Sequence, residues 1–247
     1  MEMNVHDAVI VVTGGTSTLG EAICRAFLHE GAYVWCGWTS PHGKKRALTL
    51  AEEVGSRLLP LRIDVRDGAS VTAARDAVMK EHGYLDVLVN NAGVFTVSSQ
   101  EDLAEQDWDT VFDTNITGVW RMVKTFLPVL ADGGSIVNIS SMNASRPGFG
   151  GTAHYDASKG AVSSYTASLA AEVGPRIRVN AVAPGLIDAP YLHEGDSSLA
   201  QSYVRRAALG RLVQASEAAD MVLFLASERA RAVTGQIFGV DCGYPLG

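Results

Sequence analysis

Apolar residues in this chain gather in short unbroken runs separated by longer mixed stretches. Val9-Ile10-Val11-Val12 places four β-branched apolar residues in succession, the composition of a strand covered on both faces. Runs of this kind predict strands at 8–13, 32–36, 57–63, 86–89, 135–139, 176–182 and 236–240. Between them the pattern turns helical, predicting helices at about 19–29, 43–54, 69–81, 101–130, 152–172 and 215–227. Seven strands alternating with helices call for an α/β fold, a doubly wound parallel sheet with helices on both faces. No linker, internal repeat or low-complexity segment divides the chain, so 1–247 reads as one domain.

Composition narrows the function classes without choosing among them. The chain has 247 residues, 47% of them hydrophobic and 19% charged, as in an ordinary globular protein. A net charge of −7 argues against nucleic-acid binding, which calls for a basic stripe. No apolar run reaches the roughly 18 residues that would span a bilayer. The first seven residues are polar and include Glu2 and Asp7, so no secretory leader is expected. Cys24, Cys36 and Cys242 lack metal-ligand spacing and are odd in number. That pattern predicts reduced thiols, no metal site and a cytoplasmic location.

Two segments carry chemistry. Thr13-Gly14-Gly15-Thr16-Ser17-Thr18-Leu19-Gly20 lies between the first strand and the first helix, where a Rossmann-type sheet presents backbone amides to phosphate. Gly14 and Gly15 permit the tight turn, and Gly20 lets helix and strand approach. The hydroxyls of Thr16, Ser17 and Thr18 are available to a pyrophosphate. The second segment contains Tyr155 followed four residues later by Lys159. On a helix the two share a face. An ammonium beside a phenol favours the phenolate and makes a usable general acid or base. Such a pair also arises by chance on amphipathic helices, and its significance rests on the rest of the chain.

The rest supplies a resemblance. The glycine turn, Asn90-Asn91-Ala92-Gly93, Asn115-Ile116-Thr117-Gly118, Gly134 to Ser141, Tyr155-x-x-x-Lys159, Arg178 to Gly185, and Gly235 to Gly243 occur in that order. Together they resemble the short-chain dehydrogenase/reductase family over residues 7–243. The resemblance implies that Tyr155 exchanges a proton with a carbonyl oxygen and that Lys159 lowers the Tyr155 pKa and holds the nicotinamide ribose. Ser141 would hold the substrate oxygen, with Ser140 as a competitor, and Asn115 would anchor a relay water. It further implies cofactor contacts from Leu19, Asp64 and Val65 (adenine), Asn90 on the ribose side, Asn91, Ala92 and Gly93, and Pro184, Gly185 and the backbone of Ile187. Relatives are usually tetramers built on the long helices, so a homotetramer or homodimer is expected. The competing class is a dinucleotide-binding sensor without turnover.

Three positions depart from the family pattern: Thr18 and Cys242 replace glycines, and Ala189 stands where a carboxamide-binding threonine is common. Trp38 replaces the acid that accepts from the ribose hydroxyls of NAD, and Thr39, Ser40, Lys44, Lys45 and Arg46 follow it. That favours NADP(H) over NAD(H), although Ser17 is not the basic residue many NADP-binding relatives carry. Substrate contacts are expected from Ser141, Asn143, Phe149, Tyr155 and Tyr191, under a lid at about 189–206 whose Gly195 and small polar residues suit movement. His154 and His193 read as substrate ligands or as solvent-facing loop residues. The expected reaction is reduction of a ketone or oxoacyl group, with NAD-dependent oxidation of a sugar, polyol or cyclic alcohol as the alternative.

Overall fold

The computed structural model describes residues 3–146, 149–193 and 198–246, leaving aside the side chains of Tyr191 and Pro245. Seven strands form one sheet: β1 (Val9–Val12), β2 (Tyr33–Trp38), β3 (Leu58–Arg62), β4 (Leu85–Asn90), β5 (Leu130–Ile139), β6 (Arg178–Pro184) and β7 (Ile237–Val240). Their order is β3-β2-β1-β4-β5-β6-β7, and every pairing is parallel. The chain steps outward from β1 to β3, then returns to place β4 on the other side of β1. The strand order therefore reverses between β1 and β4, which opens a crevice at their carboxyl ends.

Among the described residues eight α-helices flank the sheet: α1 (Thr18–His29), α2 (Pro41–Val54), α3 (Gly68–His82), α4 (Glu105–Phe112), α5 (Gly118–Phe126), α6 (Ala153–Val173), α7 (Ser198–Arg206) and α8 (Ala215–Ala226). The apolar runs are divided between two cores by the two-residue period of a strand. Ile10, Val12, Val34 and Val89 point toward Ile23 and Phe27 of α1, Leu50 of α2 and Val222 of α8. Val9, Val11, Leu88 and Ile136 point the other way, toward Val78 of α3, Met122 and Phe126 of α5, and Val162 of α6. Burial on both faces is why these strands read as continuous runs.

The single helix expected over 101–130 is broken. Residues Asp113–Thr117 form a π-turn between α4 and α5, closed by the Gly118 N–H donating to Asp113 O. Asn115 accounts for the insertion: its Oδ1 accepts from Val94 N at 2.8 Å, and its Nδ2 donates to Val94 O and to Ser158 Oγ, each at 3.0 Å. The side chain thus bridges the β4 loop and α6, and the extra residue per turn gives it the reach. Beyond α5, Pro128 sits in a short 3-10 turn and β5 begins at Leu130. Part of the expected lid is a regular helix, α7. Fully buried Tyr203 on α7 stacks on Tyr244 at 4.7 Å, fastening the helix to the C-terminal segment. Gly195, within the expected lid, lies outside the described residues.

Candidate active site

The glycine turn ends β1 and starts α1. Gly14 takes φ +61°, a left-handed conformation open to glycine, and a Cβ at Gly20 would strike Gly14 O. Ser17 caps α1 by accepting from Gly20 N at 3.1 Å while donating to Gly14 O at 2.9 Å. Its hydroxyl is therefore engaged within the turn rather than left for phosphate. Thr18 is the exposed first residue of α1, so the departure from glycine meets no steric conflict there. Thr13 Oγ1 accepts from Asn91 N and Ala92 N, and Asn91 Nδ2 donates to Thr13 O and Gly14 O. These bonds lock the β1 and β4 ends into one cradle.

A cleft of about 450 Å³ runs across this cradle. It is lined by Gly14, Thr16, Ser17, Trp38, Thr39, Ser40, Asp64, Val65, Asn91, Ala92 and Gly93, all expected from sequence. His42, Arg66 and Thr114 line it without having been singled out beforehand. Thr114 Oγ1 is buried without a partner among the described residues, a polar atom free to meet a ligand. Arg66 grips Asp64 through Nε at 2.9 Å and Nη2 at 2.8 Å. That bond holds the Asp64 carboxyl below its usual range and offsets its charge. Of the basic trio, Arg46 is engaged with Glu21, whereas Lys44 lies over the Trp38 ring, 5.8 Å from its centre. A helix N-terminus, a cradle closed to larger residues and an unpartnered buried hydroxyl fit a dinucleotide.

The cleft continues through Asn91, Gly93 and Val94 into a chamber of about 190 Å³ that contains Tyr155, Lys159, Ser141 and Ser140, with Leu19, Pro184, Gly185 and Ile187. Tyr155 and Lys159 share one face of α6, and the Lys159 Nζ lies 5.9 Å from the centre of the Tyr155 ring. Lys159 is buried and donates to Ile139 O at 2.8 Å. Burial alone pushes its pKa down to about 8. The Phe95 ring meets Tyr155 edge-on at 4.8 Å.

The two serines separate cleanly. Ser140 Oγ donates to Lys159 O at 3.1 Å and pairs with Ser163 Oγ at 2.7 Å, so it is held in the packing against α6. Ser141 Oγ accepts from Asn143 N at 3.2 Å, which leaves its own proton to donate. A pocket of about 460 Å³ opens beyond Ser141 and Tyr155 and is also lined by Phe95, Met142, Asn143, Phe149, Gly185, Leu186, Ile187 and Leu199. Leu186 and Leu199 carried no signal beyond being apolar.

Several residues take roles set by partners outside the cleft. Asn90 faces away from the cleft: its Nδ2 donates to Asn138 Oδ1 at 2.8 Å, and Asn138 Nδ2 donates to Thr166 Oγ1 at 2.9 Å. This buried chain ties β4 and β5 to α6, and a polar Asn138 inside an apolar strand run was the sequence signal for it. His154 is neither a substrate ligand nor exposed; it is fully buried with Nε2 bonded to Thr96 Oγ1 at 2.7 Å. His193 is exposed and pairs with Asp188. Tyr203 belongs to the core, its hydroxyl donating to Asp241 O. The Tyr191 side chain lies outside the described residues. Ala189 is buried and lines neither chamber. Cys242 is partly buried at φ +54°, its thiol pushed up chiefly by desolvation. Among the described residues no group of three or more His, Cys, Asp or Glu side chains is arranged to hold a metal ion. No helix there is long and apolar enough to cross a membrane.

Comparison with known proteins agrees with this geometry. A family model described as Enoyl-(Acyl carrier protein) reductase matches residues 14–245. The chain is 35% identical over 244 residues to a 3-oxoacyl-(acyl-carrier-protein) reductase FabG of Thermotoga maritima, covering 98% of this chain and 99% of the relative. It is 34% identical over 245 residues to a cyclopentanol dehydrogenase of Comamonas sp., covering 97% and 98%. A blue fluorescent protein from a metagenomic library, solved in complex with NADPH, superposes with a TM-score of 0.92 at 33% identity, covering 98% and 99%. The chain belongs to the short-chain dehydrogenase/reductase family and is an NAD(P)-dependent oxidoreductase acting on CH–OH groups.

Proposed function

We propose that this protein is a cytoplasmic NADP(H)-dependent reductase that converts a ketone or oxoacyl group to a secondary alcohol. The observation that carries the reading is the junction of the two chambers. Tyr155 and Ser141 line both the small chamber that continues the dinucleotide cleft and the larger pocket beyond it. A carbonyl held there is within reach of both hydroxyls. When bound, the dinucleotide supplies the hydride. Tyr155 donates its hydroxyl proton to the carbonyl oxygen, and Ser141 Oγ, whose lone pair is engaged by Asn143 N, donates to the same oxygen as negative charge develops. Lys159, carrying a positive charge below about pH 8, stabilises the phenolate left behind. It would also hold the ribose of the bound dinucleotide.

Asn115 acts by position. Both hydrogens of its Nδ2 are engaged by Val94 O and Ser158 Oγ, so a relay water would rest on its carbonyl or on the remaining lone pair of Oδ1. Gly14, Thr16, Leu19 and Gly20 would cradle phosphate, Asp64, Val65 and Thr114 the adenosine half, and Asn91, Ala92 and Gly93 the middle of the molecule. Pro184, Gly185 and Ile187 would hold the nicotinamide. NADP(H) is preferred because the end of β2 offers Trp38, Thr39 and Ser40 in place of a carboxylate, with Lys44 close by. The unpaired thiols Cys24, Cys36 and Cys242 accord with a reducing cytoplasm. Exposed Trp108 on α4 and Trp120 on α5 suit a subunit contact, and we expect a homotetramer or homodimer by native mass. NADPH consumption with a ketone panel tests the activity: turnover lost in Tyr155→Phe with dinucleotide affinity kept is expected, and binding without turnover in the parent would leave a sensor instead.

A further inference from the structure

We infer that the substrate is an uncharged ketone with a hydrocarbon body, a class that excludes oxo acids, phosphorylated ketones and ketoses. The inference rests on the activity proposed above and narrows it. The apolar side chains of the 460 Å³ pocket are Phe95, Met142, Phe149, Leu186, Ile187 and Leu199, and its polar side chains are Ser141 and Tyr155, shared with the chamber that continues the dinucleotide cleft, and Asn143, bonded to Ser141. No Lys, Arg, His, Asp or Glu lines it among the described residues. The volume lies in the range of pockets that enclose drug-sized ligands.

Charged side chains in the neighbouring segments are engaged by other protein groups. Asp156 accepts from Asn143 Nδ2 at 2.7 Å and from Thr152 Oγ1 at 3.1 Å. Asp188 is held by His193 and Gln214, Arg206 by the Tyr244 hydroxyl and ring, and Arg211 by Glu217. A carboxylate or phosphate entering the pocket would lose its water and find no cation, the costly case for a buried charge. A polyol would bring several hydroxyls and find few partners: Asn143 has already used its backbone N–H on Ser141 and an amide hydrogen on Asp156. A described lining whose polar side chains are confined to Ser141, Tyr155 and Asn143 favours a molecule polar only at the reacting oxygen.

The test is a matched set of ketones with NADPH: 4-methylcyclohexanone, 4-oxocyclohexanecarboxylate and L-sorbose. The methyl ketone should exceed the carboxylate and the ketose in kcat/KM by about a hundredfold or more, the discrimination expected when a charge or hydroxyl is left unpaired. Leu199→Arg should narrow the ketone-to-carboxylate ratio by about tenfold by supplying the missing cation. Turnover of the carboxylate or the ketose equal to or better than that of the methyl ketone overturns this inference and leaves the reductase reading standing. A ratio unmoved by Leu199→Arg also overturns it, because the substrate body would then lie elsewhere. If no ketone is consumed although NADPH binding is seen by fluorescence, both readings fall together.

Discussion

Replacing Lys159 with methionine should separate stability from function in one step. Lys159 is buried, and desolvation pulls its pKa from the usual 10.5 to about 8. A drop of that size corresponds to about 3 kcal/mol against the charged folded state. The sign follows from proton binding. Below pH 8 both folded and unfolded chains carry the proton and the full penalty applies. Between about 8 and 10.5 the unfolded chain binds more protons, so stability rises with pH until the penalty is gone. Methionine keeps much of the volume and removes the charge, leaving Ile139 O without the Nζ donor, a loss of about 1–3 kcal/mol. The variant should therefore match or exceed the parent at pH 7 by up to about 2 kcal/mol. That advantage should fall by about 2 kcal/mol between pH 7 and pH 9.5. Urea unfolding at the two pH values reads both quantities, and a common m-value would show that compactness is unchanged. Turnover should be lost throughout. A difference between variant and parent that does not move with pH would refute the claim that Lys159 is held as a desolvated ammonium.

Three other perturbations probe separate parts of the account. Ser141→Ala should lower kcat by about a hundredfold with little change in dinucleotide affinity, as for loss of one donor to a developing oxyanion; Ser140→Ala should leave the ratio of kcat to that of the parent near one. Trp38→Asp should turn the preference from NADPH toward NADH by about tenfold or more in relative Kd, since a carboxylate there accepts from ribose hydroxyls and repels a phosphate; an unchanged preference would remove the assignment of that site. Cys242→Gly should raise stability by about 0.5–1 kcal/mol, because Cys242 sits at φ +54°, where a Cβ costs about 1–2 kcal/mol and glycine returns part of that as unfolded-chain entropy. A lower melting midpoint would show that packing of the thiol outweighs backbone strain.

The inner strands are legible because they are covered on both faces, so Val9 to Val12 reads as an unbroken apolar run, whereas edge strand β7 leaves Ile237 exposed. The break in the 101–130 segment was not, since its cause is a tertiary bond from Asn115 to Val94 that leaves no mark on local periodicity. In the site, the glycine turn and the Tyr155–Lys159 pair stood out because spacing along a turn or helix fixes where they point. Residues whose role depends on partners distant in sequence are not legible in this way: Asn90 turns to Asn138 and His154 to Thr96. Thr114 and Leu199 reach their chambers through the packing of α4, α6 and α7, and an isolated polar or apolar residue carries no sequence record of that.

The central claim is that Tyr155 delivers a proton to a carbonyl oxygen held at the junction of the dinucleotide cleft and the apolar pocket. Reduction of 4-methylcyclohexanone with NADPH deuterated at nicotinamide C4, followed by mass analysis of the alcohol, tests it most directly. The parent enzyme should place one deuterium on the carbinol carbon. Tyr155→Phe should form product more slowly by about a thousandfold, within the range for loss of a general acid, while its NADPH affinity stays within about threefold of the parent's, a difference of less than 1 kcal/mol. Full-rate transfer by Tyr155→Phe would contradict it.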